Sequence, residues 1–171
     1  VIEAIVENLD EKRKTFAALD AVAKPGVILA SNTSSLTVTQ LAAATRRPER
    51  FLGLHFFNPV PVMKLVEVVR TLLSDEAVIA EVTAWCRTIG KTPVACGDNS
   101  GFIVNRLLVP YLLDAIRALE EGVGSVQDID EGMKLGCGHP IGPLALCDMV
   151  GLDVLLAVMN VFHADFGDPK Y

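Results

Sequence analysis

The pattern of apolar residues changes once along this chain, near residue 97, and that change limits the fold more than any other feature. Before it, short apolar runs alternate with amphipathic stretches, as in an α/β sheet with crossover helices; after it the spacing is helical throughout. A purely helical stretch cannot extend a sheet, so a domain boundary is expected at Gly97–Gly101. With 171 residues the chain can hold one ordinary domain or a small pair.

Val1 to Val6 is a short apolar run. From Asn8 to Ala23, Leu9, Phe16 and Leu19 recur among charges as in an amphipathic helix, which Pro25-Gly26 stops. A buried strand at Val27–Ala30, a short helix at Thr37–Ala44, a polar turn at Arg46–Arg50 and a strand at Phe51–Phe57 follow. The link from Asn58 to Met63 contains Pro59 and Pro61 and is six residues long, too short for a parallel crossover. Lys64–Val69 must therefore run antiparallel to the strand before it. Ser74 is the expected N-cap of a helix with Asp75 and Glu76 in its first turn and Gly90 at its end, and Thr92–Cys96 forms one more strand. Among the later helices, the first lines one face with Ile103, Leu107, Tyr111, Leu112, Ile116 and Leu119 and is kinked at Pro110. Ser125 and Asp128 form a capping box for a second, ended by Gly136, and Gly142-Pro143 opens a third that Gly151 interrupts.

Composition removes several function classes. Hydrophobic residues make up 51% and charged residues 21%, which excludes a disordered chain. Fifteen Lys plus Arg against 21 Asp plus Glu leave a net charge of -6, which argues against a nucleic-acid partner. Long apolar stretches are interrupted, as by Asp153 within 150–162, so neither a membrane-crossing helix nor a membrane partner is expected. The first residues lack a basic region, a cleavage site and an initiating Met, and Val1 reads as an interior position of a longer protein. Cys86, Cys96, Cys137 and Cys147 form no CxxC pair, so no metal is expected; each reads as a small core residue in a reducing compartment.

Ser31-Asn32-Thr33-Ser34-Ser35 follows a buried strand, where open α/β sheets place their ligands; equally, these side chains would turn the chain and cap the next helix. His55 ends one apolar strand, in HFFNP, and Glu67 interrupts another, LVEVV, where an unpaired carboxylate is costly to bury. The hairpin brings these two positions together. A carboxylate beside an imidazole favours imidazolium and prepares the ring to take a proton from a hydroxyl, although a purely structural pair has the same spacing. Asn105, behind Gly101, either packs at the boundary or directs its amide into a cleft. His139 and His163 read as structural, and the Glu7, Lys12 and Lys14 group as a solvated helix face.

SNTSSL at 31–36, GLHFFNPVPVMKLVEVV at 53–69 and DNSGFIVNRLLVPYLLDAI at 98–116, in this order and spacing, resemble the L-3-hydroxyacyl-CoA dehydrogenases, with the wording after HFFNPV similar to the short-chain 3-hydroxybutyryl-CoA type. The resemblance implies part of a Rossmann-like NAD domain over 1–98, a helical domain for dimerisation and substrate over 99–171, and an active site between them. By motif position His55 resembles the family's catalytic base, Glu67 its orienting carboxylate, and Ser34 and Asn105 its polar groups at the substrate and nicotinamide. Glu7, Lys12, Ser34 and Asn58 match positions that contact the dinucleotide. The implied reaction is reversible oxidation of an L-3-hydroxyacyl-CoA to the 3-ketoacyl-CoA, in fatty-acid or butanoate metabolism, by a homodimer in a bacterial cytoplasm or a mitochondrial matrix. NAD is the implied cofactor, with NADP left open. Families that use NADP on related hydroxyacids carry a Lys where this hairpin supplies His and Glu.

No GxGxxG with its acidic ribose partner occurs, so the first βαβ unit is expected before Val1 and the family's closing helices after Tyr171. These 171 residues alone are then expected not to turn over. A reading of a different class is an inactive piece that binds acyl-CoA or oligomerises.

Overall fold

The computed structural model describes residues 1–171, which divide into two units, Val1–Ile103 and Val104–Tyr171. In the first, β1 (Ile2–Glu3), β2 (Leu29–Ser31), β3 (Phe51–Phe56), β4 (Leu65–Arg70) and β5 (Thr92–Gly97) form one sheet in sequence order. β1, β2 and β3 are parallel, β4 is antiparallel to β3, and β5 is parallel to β4. The single antiparallel step falls at the six-residue link. Helices α1 (Leu9–Val22), α2 (Val38–Ala42) and α3 (Glu76–Thr88) make the parallel crossovers.

Alternation along the strands sorts the core into two layers. Leu52, Leu54, Val66 and Val68 face Val78, Ile79, Val82 and Cys86 of α3. Phe51 and Val69 face the other way, onto Phe16 of α1 and Val38 and Leu41 of α2. Gly53 shares this second face, and a Cβ there would stand 2.7 Å from Val69 Cβ and 3.1 Å from Val38 Cγ2. Only glycine lets α2 lie so close to the strands. His55 and Glu67 have the same parity as Phe51 and Val69, so both project from this face.

α1 starts where expected, with Asn8 Oδ1 accepting the N–H groups of Asp10 and Glu11 at 3.1 Å. Two local expectations shift. β2 begins at Leu29 rather than Val27, because the Val27 N–H closes a turn onto Lys24 O. Asp75, not Ser74, caps α3 by accepting the Ala77 N–H. The Ser74 hydroxyl instead donates to Phe51 O at 2.6 Å, and its oxygen accepts the Thr71 N–H.

Arg46 and Arg47, in the polar turn after α2, converge on the buried Asp20 of α1, with Nε to carboxylate distances of 2.9 and 2.5 Å. The Arg46 side chain, against the opposing push of burial and helped by the Arg46 N–H and the Arg47 guanidinium, lowers this carboxyl to about 2. A folded value below the unfolded one stabilises the protein above about pH 4, and that stability is lost as pH falls through about 2. Asp20→Asn should lower Tm at pH 7 by about 5 °C, with the gap to wild type closing between about pH 4 and 2. Thermal unfolding followed by circular dichroism tests this; equal neutral-pH melting would refute it.

The second unit contains α4 (Val104–Glu120), α5 (Val126–Cys137), α6 (Pro143–Val150) and α7 (Leu152–Phe166). Val109 and Leu112 of α4 pack with Cys147, Leu155, Met159 and Phe162. The buried stripe of α4 is thus rotated from the expected one: Leu107 is 70% exposed and Ile103 precedes the helix. Pro110 lies inside α4. The Ser125–Asp128 capping box is present, but α5 runs through Gly136 to Cys137, because the left-handed C-cap falls on Gly138. Asp130 of α5 then accepts the N–H groups of Leu144 and Ala145 at 2.8 and 3.0 Å, capping α6. Gly151 separates α6 from α7, which bend by 93°, and no single helix is long and apolar enough to cross a membrane. Cys86 and Cys147 are buried as expected, whereas Cys96 is half-buried and Cys137 exposed at the end of α5.

Candidate active site

The register of the antiparallel pair sets His55 opposite Glu67. Both are buried, at 4% and 0% exposure, and His55 Nδ1 lies 2.7 Å from Glu67 Oε2. A carboxylate can only accept, so Nδ1 carries the proton and the Nε2 lone pair is left to take another. The other carboxylate oxygen, Oε1, accepts the Ile103 N–H at 3.0 Å. Phe57 and Phe102 flank the imidazole, with ring centroids 4.5 and 5.5 Å away. Nearby, burial first, then the charges of Glu67 and Asp98, push the Cys96 thiol up to about 12. It stays neutral and offers no competing nucleophile.

The 31–35 loop leaves β2 at the carboxyl end of the parallel strands. Thr33 Oγ1 accepts the N–H groups of Ser35 and Leu36, so the loop does turn the chain on its own side chains, but none of them caps α2. Glu7 Oε1 accepts from Thr33 Oγ1 at 2.5 Å, from Ser34 N at 2.8 Å and from Ser35 N at 3.1 Å. Burial pushes the Glu7 carboxyl up; the Thr33 hydroxyl, the Ser34 N–H, the Lys12 charge and the Ser35 N–H outweigh it and hold the group below the ordinary carboxylate range. Thr33 and Ser35 use their hydroxyls within this network, while Ser34 contributes its N–H.

Lys12 overturns the expectation of a solvated face. Its side chain is 1% exposed and bridges Glu3 at 2.7 Å and Glu7 at 3.4 Å. Only Lys14 and Glu11 form the exposed pair that a surface helix shows. Glu3, which also accepts the Ser31 hydroxyl at 2.7 Å, escaped the sequence reading. Its signal was available, since an acidic residue in the apolar run VIEAIV carries the same burial cost as Glu67 in LVEVV.

Asn32, named only as part of the 31–35 loop, and Asp98, named only within the boundary motif, make bonds that the sequence reading did not assign. Asn32 extends the sheet where the chain leaves it: its N–H donates to Glu3 O and its Oδ1 accepts the Phe56 N–H, each at 2.8 Å. Phe56 follows His55, so the ligand loop and the histidine strand are joined by one side chain. Asp98 caps α2 by accepting the N–H groups of Val38 and Thr39.

Asn58 is exposed at the head of the hairpin link, joined to Pro59 by a cis peptide bond. Lys91 steadies the link by donating to the carbonyls of Val60 and Met63. Asn105 belongs to the other unit, as the second residue of α4, and is half-buried. Beside it, the Arg106 guanidinium stacks 3.3 Å above the Phe166 ring. His139 is 3.2 Å from the Tyr111 hydroxyl in the helical unit, a packing role. No cluster of three or more His, Cys, Asp and Glu is placed to hold a metal ion.

Residues 1–99 match the family model for the NAD binding domain of 3-hydroxyacyl-CoA dehydrogenase, and residues 101–171 match its C-terminal domain. The chain belongs to the 3-hydroxyacyl-CoA dehydrogenase family. Its architecture is that family's Rossmann-like NAD-binding domain followed by a helical C-terminal domain. A 3-hydroxybutyryl-CoA dehydrogenase of Clostridioides difficile is 48% identical over 171 residues, all of this chain and 61% of that protein. The mitochondrial hydroxyacyl-coenzyme A dehydrogenase of Rattus norvegicus is 54% identical over 163 residues, 95% of this chain and 52% of that one. The crystal structure of (S)-3-hydroxybutyryl-CoA dehydrogenase from Ralstonia eutropha superposes with a TM-score of 0.97 at 53% identity, covering 100% of this chain and 60% of the other. This chain thus spans between half and two thirds of these relatives.

Proposed function

We propose that this chain carries the catalytic pair of an NAD-dependent L-3-hydroxyacyl-CoA dehydrogenase that acts on 3-hydroxybutyryl-CoA. The observation that carries the reading is the buried His55–Glu67 pair at 2.7 Å, within a chain of this family. Bacterial relatives named for 3-hydroxybutyryl-CoA support the short substrate and a bacterial cytoplasm.

The donor set at the carboxyl ends of β1, β2 and β3 fits the nicotinamide half of a dinucleotide. Glu7 offers a carboxylate, Ser34 a hydroxyl and Asn58 an amide, the groups that pair with a ribose diol or a carboxamide. Lys12 acts by holding Glu7 in place rather than by reaching into solvent. A bound nicotinamide would supply the hydride acceptor for substrate C3. His55 Nε2 takes the proton of the 3-hydroxyl, and Glu67 stabilises the imidazolium that results. Ser34 is assigned to the reacting oxygen. Asn105 is assigned to the thioester region on its place in the DNSGFIVNR motif. In the reverse direction His55 returns the proton to the ketone oxygen.

Loss of NADH absorbance with acetoacetyl-CoA, measured on the full-length protein, tests the reading. Turnover is expected. Acyl-CoA binding without turnover would favour the alternative of a binding piece.

We place a second copy of the chain against the helical unit. Leu152, Val154 and Leu156 of α7 are 57%, 47% and 63% exposed, beside a groove of about 420 Å³ lined by Leu113, Ile116 and Leu155. Leu112, on the apolar face of α4 by its spacing, is fully buried and contributes nothing to this surface. Exposed apolar area of this kind favours association. Sedimentation at micromolar concentration should give a dimer that Leu156→Glu shifts towards monomer; a wild-type monomer would remove the dimer from the proposal.

A further inference from the structure

Gly101 (φ 78) is followed by Phe102 at φ 50, the one residue other than glycine with a positive φ. Bulky side chains avoid this left-handed region because Cβ crowds the backbone, and they persist there only where the surroundings hold them. Packing holds Phe102. Its ring is 5% exposed in the cluster with Phe16, Phe51 and Val69, and its N–H donates to Asn99 O at 2.8 Å.

The effect of the turn falls on the next residue. Ile103 N–H meets Glu67 Oε1 at 3.0 Å, while Oε2 stays on His55 Nδ1 at 2.7 Å. We propose that Phe102 is a positioning residue for the His55–Glu67 pair: its left-handed turn aims the Ile103 N–H at one carboxylate oxygen and so leaves the other for the imidazole. A residue in a right-handed or extended conformation would point that N–H elsewhere and take this donor away from Oε1. This role rests on the dehydrogenase reading above, since it acts through Glu67 and touches no substrate.

Two substitutions separate the turn from the ring. Glycine adopts φ 50 without strain but has no ring, whereas valine keeps apolar bulk and is β-branched, which disfavours the conformation. In the full-length protein, Phe102→Val should lower kcat by about 30-fold or more with KM within about threefold. It should also abolish the downfield NMR signal of the His55 Nδ1 proton. Phe102→Gly should keep that signal and lose less than about tenfold in kcat. A folded Phe102→Val protein with the signal intact and kcat within about threefold of wild type overturns the proposal, as does an equal loss in both variants.

Hydrogen exchange of the unmodified protein decides the matter if the variants do not fold. Ile103 N–H should exchange about 100-fold or more below its unstructured rate, and exchange at the unprotected rate overturns the proposal. If the unmodified protein turns over no acetoacetyl-CoA, the dehydrogenase reading fails, while the NMR and exchange measurements still decide what Phe102 does.

Discussion

His55→Gln in the full-length protein should lower kcat by about 10² to 10⁴-fold, the range that general acid-base catalysis supplies. Glutamine can still hydrogen-bond Glu67, but it has no basic nitrogen to take the hydroxyl proton. Acyl-CoA binding should change far less, because the imidazole is buried against Glu67, Phe57 and Phe102 and forms little of the exposed surface. Steady-state kinetics with acetoacetyl-CoA and NADH measure both. Turnover within about threefold of wild type would remove His55 from the reaction.

Glu67→Gln should cost about 10³-fold in kcat, and the geometry gives a specific reason. The Ile103 N–H requires an acceptor, so the amide oxygen of glutamine must stay on that side. Its NH₂ group then faces His55 Nδ1, which can pair with it only as an acceptor. The ring is driven into the other tautomer, with the proton on Nε2, and the base is blocked at the atom that needs a lone pair. The negative charge that steadies imidazolium is lost as well. Circular dichroism should report an intact fold, since the substitution keeps the volume and the bonds to His55 and Ile103. A Glu67→Gln enzyme retaining more than about a tenth of wild-type kcat would show that Glu67 is structural.

Much of the fold was legible because its signals are local. The Asn58–Met63 link forces β4 antiparallel by its length alone, and the alternation of Leu52 and Leu54 with His55 selects the register. A slip by one residue would carry Val66 and Val68 away from α3 and bury Glu67 against apolar side chains. Asn8 and Ser125-Asp128 mark helix starts through bonds spanning only a few residues, and Gly142-Pro143 marks one through the fixed φ of proline at the first helical position. Errors fell where two local solutions were nearly equal. Ser74 or Asp75 can cap α3, and Gly136 or Gly138 can end α5; the choice went to the residue whose competitor was needed elsewhere or remained in the helix.

By itself the sequence determined the order of elements, the hairpin and the pairing of His55 with Glu67, since each depends on chain length, side-chain alternation or a backbone bond a few residues away. Tertiary structure alone decided what secures that pair and its neighbours. Lys12 looks solvated on its helix and is buried because Glu3 approaches from β1. Ile103 reaches Glu67 across 36 residues, and Asp98 reaches Val38 across 60. Such contacts have no periodicity to betray them. They form between residues that only the assembled sheet and its helices bring within hydrogen-bond distance, and burial then makes each of them necessary, because a charge or backbone N–H removed from water must find its partner inside the protein.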